Sequence, residues 1–88
     1  MRVVIIWRDN TDYARTVIDW LRDFEIRSGK QIESLSPDEP EGESLCRAYD
    51  IVEYPTMLAI DTDGSLLQMW RGTDMPRISD VSYYLMEH

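Results

Sequence analysis

Few side chains in this 88-residue chain can do chemistry, and the first to weigh is its only cysteine, Cys46. One thiol cannot close an internal disulfide or build a multi-cysteine metal site. Free cysteine is among the most buried residue types, which favours a packed side chain. The alternative is a reactive thiol, placed near the start of a helix whose dipole would favour the thiolate. Asp38, Glu39, Glu41 and Glu43 crowd one segment, but they lack calcium-loop spacing and read as a solvated acidic loop. Asp61 and Asp63 belong to an Asp-Thr-Asp-Gly turn rather than to a catalytic carboxylate pair. His88 is the final residue, a place where chains are usually mobile, and no acid–base partner can be named for it. No Ser/His/Asp arrangement, glycine-rich phosphate loop or basic aromatic patch occurs. Neither a metal nor a cofactor is expected.

Charge narrows the partners. Seventeen acidic against nine basic residues leave a net charge of -8. That field repels phosphate backbones, which argues against nucleic acid as a ligand. The longest apolar run, Val3 to Trp7, is too short for a membrane span or a signal-peptide core. A cytoplasmic, reducing setting is the expectation.

The elements that must position these residues follow from periodicity. Val3-Val4-Ile5-Ile6-Trp7 has no alternation and suits a strand covered on both faces. Asn10, Thr11 and Asp12 can each cap the helix that follows. Its stripe is Ala14, Val17, Ile18, Leu21 and Phe24, at spacings of three and four, and Ser28-Gly29 ends it. Gln31–Leu35 reads as a second strand, with Ile32 and Leu35 inward. Ser36–Glu43 reads as a loop, followed by a short helix through Tyr49 with Leu45, Ala48 and Tyr49 on its buried side. Thr56–Ile60 and Ser65–Trp70 are strands joined by the Asp-Gly turn. Gly72-Thr73-Asp74 leads into a last helix with Pro76 near its first turn and Ile78, Val81 and Leu85 inward. The order is β-α-β-α-β-β-α. The opening βαβ unit makes its two strands parallel, and the hairpin adds an antiparallel pair. The expected fold is one α/β domain over residues 1–88, a mixed four-stranded sheet flanked by three helices.

That order, with a proline just before the third strand, resembles the thioredoxin and glutaredoxin core. The segment Tyr49-Asp50-Ile51-Val52-Glu53-Tyr54-Pro55-Thr56-Met57-Leu58 is similar to the thioredoxin pattern Y-G-I-x-x-x-P-T-x-x. Asp63-Gly64 and Arg71-Gly72 also fall where that pattern places them. The resemblance implies a cis bond between Tyr54 and Pro55, with the main chain of Tyr54 pairing to an extended substrate. Glutaredoxins carry C-P-Y-C between the first strand and first helix, where this chain has Thr11-Asp12-Tyr13-Ala14. Disulfide exchange needs a thiolate to attack the disulfide, and a threonine hydroxyl is barely ionised. Dithiol–disulfide oxidoreductase activity by the family's mechanism is therefore excluded.

What is left is recognition. The resemblance implies a non-catalytic thioredoxin-fold protein, a small binding or interaction module using the groove beside Pro55. Its candidate residues are Trp7, Arg8, Tyr13, Tyr54, Pro55, Thr73 and Asp74, with a protein or peptide as partner. Trp7, Tyr13 and Tyr54 are expected around the vestigial site, where rings with a polar tip make interface anchors. The alternative is a glutathione- or thiol-linked redox protein. It would use Cys46, or a residual glutathione site in which Arg8, Tyr54-Pro55 and Thr73-Asp74 occupy the places of the family's ligand-binding residues. Thr73-Asp74 can equally be an ordinary helix cap.

Overall fold

Val3, Val4, Ile5 and Ile6 have no polar side to turn to water, and they form the covered strand of the sheet. In the computed structural model, which describes residues 1–86, β1 (Arg2–Ile6) lies between β2 (Glu33–Leu35) and β3 (Thr56–Ile60). β4 (Leu66–Arg71) completes the order β2-β1-β3-β4. β1 and β2 are parallel, while β3 is antiparallel to both β1 and β4. Helices α1 (Ala14–Ser28) and α3 (Ile78–Ser82) pack on one face, through Val17, Phe24 and Val81 against Val3, Ile5, Met57 and Ala59. Helix α2 (Pro40–Tyr49) covers the other face, where Val4, Ile6, Leu58 and Ile60 meet Leu45, Cys46 and Tyr49. This is the expected mixed four-stranded α/β architecture with three helices. His88 lies outside the described residues.

The helices depart from the predicted boundaries in ways that bear on the site. No side chain caps α1: Tyr13 is its N-cap with helical backbone angles, so Asn10, Thr11 and Asp12 do not take that role. Ile18 is 40% exposed rather than part of the buried stripe. Trp20 replaces it by stacking on Phe24 at 5.2 Å and donating its indole N–H to the Pro76 carbonyl at 2.9 Å. Gly29 ends the helix in the left-handed region, at φ 70°, where a side chain would be strained.

Helix α2 starts earlier than predicted, because Pro40 has its φ pre-set for the first turn, where its missing N–H forfeits no intrahelical bond. Its inward stripe is Gly42, Leu45, Cys46 and Tyr49, and Ala48 is exposed. The i, i+3, i+4, i+7 pattern holds, with Leu45 and Tyr49 inward as expected and Cys46 in place of Ala48. Helix α3 is shorter than predicted. It begins at Ile78 with Arg77 as N-cap, so Thr73 and Asp74 are exposed loop residues and cap nothing. Pro76 disfavours helical geometry at Met75, and Met75 packs on the core while Trp20 holds the Pro76 carbonyl.

Candidate functional site

The loop from Arg8 to Tyr13 joins the end of β1 to α1, and Arg8 organises it. Its main-chain N–H donates to the Tyr13 hydroxyl at 2.9 Å. Its carbonyl accepts the Thr11 hydroxyl at 2.8 Å. Thr11 is thus engaged in holding the loop, Asp12 is exposed, and Ala14 is buried at the first turn of α1. Thr11 and Ala14, which the resemblance aligns with the family's cysteine positions, therefore offer an engaged hydroxyl and a buried methyl.

The Arg8 side chain reaches across to the loop before α2. Its guanidinium donates to both oxygens of Asp38, Nε at 3.0 Å and Nη2 at 3.1 Å. The same group lies over the Tyr54 ring, 4.9 Å from its centroid, where the ring face attracts a cation. Ser36 receives the Asp38 N–H on its hydroxyl at 3.2 Å, which sets the carboxylate for this bidentate pair. Tyr54 then leads inward, donating its hydroxyl to Cys46 Sγ at 3.8 Å. Desolvation by burial raises the Tyr54 pKa, and its contact with Cys46 adds to the rise. Tyr54 also precedes a cis peptide to Pro55. The β1–β3 and β3–β4 ladders end at Thr56, which leaves Tyr54 outside the sheet.

The Arg8 guanidinium holds the Asp38 carboxyl below its ordinary range. A depressed folded-state pKa means the pairing contributes above the carboxyl's unfolded value and is lost as pH falls through the folded one. Both groups are exposed, so the contribution to stability is small and screened by salt. In an NMR titration of side-chain carboxyls, Asp38 is expected to titrate at lower pH in the native protein than in Arg8→Ala. Equal midpoints would show that the pair does not persist in solution.

The predicted site residues come together only in part. Arg8, Thr11, Tyr13 and Tyr54 form one network, joined by Asp38 and Cys46 from the α2 side. Trp7 is elsewhere. Its indole donates to the Ser34 hydroxyl at 2.5 Å, and it lines a polar cavity of about 300 Å³ at the carboxyl ends of β1 and β2. Tyr13 and Trp7 lean on the α1 face of the sheet and Tyr54 on the α2 face, so the three rings do not make one cluster. Thr73 and Asp74 sit in the loop after β4, Thr73 lining a cavity beside α1. Cys46 is half-buried and lies in the second half of α2, not near its start, so the helix N-terminus does not act on it.

Asp38 is the residue that sequence reasoning left in an undifferentiated acidic loop, although it is the direct partner of Arg8. Its one legible signal is Ser36-Pro37-Asp38, a turn-forming set that commonly orients a carboxylate. Two larger cavities, of about 640 and 610 Å³, flank α1 and share Trp20 and Asp23. Neither is lined by Tyr54 or Pro55. Among the described residues no group of three or more His, Cys, Asp or Glu side chains can hold a metal ion. No described helix is long and apolar enough to cross a membrane.

Comparison with solved structures shows the fold. The chain is similar to thioredoxin 1 of the thermophilic bacterium Thermosipho africanus, with a TM-score of 0.64 at 14% identity, over 97% of this chain and 90% of that one. It is also similar to a malarial protein, with a TM-score of 0.63 at 17% identity, over 94% of this chain and 90% of that one. No family profile and no curated protein matches the sequence. The chain has a thioredoxin-like fold, and it has a single cysteine.

Proposed function

We propose that this thioredoxin-like chain is a non-catalytic binding module that holds an extended segment of a partner protein at the surface beside Pro55. The observation that carries the reading is the placement of Arg8. Its guanidinium, laid on the Tyr54 ring and fixed by Asp38, builds a rigid polar and aromatic wall next to main chain that lies outside the sheet ladders. Main-chain pairing supplies affinity in such modes, and side-chain contacts supply selectivity. Cation and ring are already in contact, so little side-chain entropy is lost when a ligand arrives.

Redox chemistry has less to draw on. The loop positions that would attack a disulfide are Thr11 and Ala14, and the one thiol is half-buried on the opposite side of the sheet from α1. A glutathione site would need Arg8 to release Asp38 and would find no helix N-terminus at Thr73–Asp74. A lone thiol suits a reducing compartment, in keeping with a cytoplasmic setting.

The test is selection of binding peptides from a displayed library, followed by amide mapping. Selected peptides are expected to shift Arg8, Thr11 and Tyr54. Tyr54→Ala is expected to lower their affinity by about tenfold or more, as for an aromatic anchor, with circular dichroism unchanged. Peptides that bind equally well to Tyr54→Ala would sink the proposal. So would a response of Arg8, Tyr54 and Asp74 to reduced glutathione alone.

A further inference from the structure

Among the described residues the sheet has two free edges, and they are not alike. β2 is three residues long, and Arg2 of β1 pairs with its Glu33. β4 is six residues long with the sequence Leu-Leu-Gln-Met-Trp-Arg, and it pairs only with β3.

The direction of its main-chain groups can be read from the ladder. The Gly72 N–H donates to the Pro55 carbonyl at 2.8 Å. In an antiparallel pair, hydrogen-bonded and non-hydrogen-bonded positions alternate, so Trp70 and Gln68 face β3. Met69 and Arg71, paired in register with Leu58 and Thr56, turn their N–H and C=O groups outward, and the Met69 N–H is held there by the Gln68 side-chain oxygen at 3.0 Å, which an added strand displaces. Beside this edge, on the α3 face, runs a groove of about 390 Å³ lined by Gln68, Trp70, Ser79, Asp80, Tyr83 and Tyr84. Its rings are braced against one another, Trp70 to Tyr84 at 5.7 Å and Tyr83 to Tyr84 at 5.2 Å. Tyr83 of this groove is 57% exposed, and Leu66 at 42% and Leu67 at 38% leave further apolar surface along the same strand, outside the groove. An apolar edge strand of this length is one that proteins usually cover or blunt.

We propose that the outer edge of β4 is a second docking surface, which takes an extended, basic, β-prone segment of a partner protein as a fifth strand. The added strand pairs with Met69 and Arg71, and its side chains on one face enter the aromatic groove. Charge selects the occupant. Asp61 and Asp63 stand at the turn before β4, Asp80 lines the groove with Arg77 3.5 Å from its carboxylate, and Arg71 has Glu53 beside it at 4.0 Å, which leaves the acids in excess along this edge. A second copy of the chain would bring the same carboxylates against these and a further net charge of -8. A segment alternating lysine with β-branched residues turns apolar side chains to the rings on one face and cations to the other, and the chain's charge of -8 favours the cations.

The probe is a blocked octapeptide of alternating lysine and valine, titrated into the full chain. Alternating lysine and glycine serves as an equal-charge control, and glutamate and valine as the reversed-charge one. The lysine–valine peptide is expected to shift the Met69 and Arg71 amides and to slow their hydrogen exchange, leaving Tyr54 unmoved. Affinity should fall with added salt. Arg71→Pro removes one outward N–H that the β3 ladder does not use, and should weaken binding about tenfold relative to Arg71→Ala. Equal binding of the lysine–glycine peptide would overturn the proposal, because charge alone would explain it. So would a response centred on Tyr54, or self-association through β4 in the absence of peptide. Failure at β4 leaves the Pro55 reading intact, since the two are read at different amides.

Discussion

Phe24→Ala is expected to remove about 3–5 kcal/mol of folding stability. Phe24 is 1% exposed and joins α1 to the core shared by Val3, Ile5, Met57 and Val81. Its ring also supports Trp20 at 5.2 Å, with the planes 17° apart. Truncation therefore leaves a cavity and frees the indole that holds the Pro76 carbonyl, the contact that fixes the approach to α3. A chain of this length has roughly 4–13 kcal/mol in total, so the loss takes a large share. In urea, the midpoint should fall sharply with little change in slope. A loss under about 1 kcal/mol would mean that the α1 side can repack without this ring.

Gly42→Ala should destabilise the protein, although the same change in an isolated helix would stabilise it by up to about 1 kcal/mol. The reversal comes from a close approach. A Cβ built on Gly42 would sit 1.9 Å from the Ser36 carbonyl oxygen and 2.7 Å from its carbon. That carbonyl also accepts the Glu39 N–H at 3.2 Å, so the turn before α2 cannot yield without losing a bond. Overpacking of this kind costs about 1–3 kcal/mol, and more where backbone must move. The Ser36–Asp38 turn carries the carboxylate that fixes Arg8. The variant should therefore also disturb the Arg8 side-chain resonances. Denaturant titration measures the first effect and NMR the second. Unchanged or higher stability would show that α2 can slide outward at no cost.

The fold was legible because its signals are local. An unbroken β-branched run becomes the covered strand β1, and the stripe through Val17 and Phe24 becomes the inner face of α1. The Asp-Thr-Asp-Gly turn forms as its chemistry dictates, with Asp63 accepting the Ser65 N–H at 2.9 Å. Errors arose where tertiary packing outbid periodicity. Ile18 fits the stripe, but Trp20 has more apolar surface to bury and a carbonyl within reach. Thr73–Asp74 has good cap chemistry, but Pro76 and the docking of Met75 delay the helix to Ile78.

The candidate site was legible in some of its members and not in its arrangement. The family resemblance points to Arg8, Thr11, Tyr13 and Tyr54, and the structure joins them. Trp7 was named with them and faces Ser34 instead. A strand sends alternate side chains to opposite faces, so adjacency in sequence at the end of β1 separates Trp7 from Arg8 in space.

By itself the sequence determined which elements form, the absence of a dithiol, and an acidic surface that disfavours phosphate backbones. These depend on spacing over a few residues or on composition. Only the tertiary structure decided that Arg8 meets Asp38, 30 residues away, or that Tyr54 rests on Cys46. It also decided that Met69 and Arg71 turn their main chain away from β3, the Met69 N–H onto the Gln68 side chain. Such meetings are set by strand order and register, and both follow from burying two faces of one sheet at once.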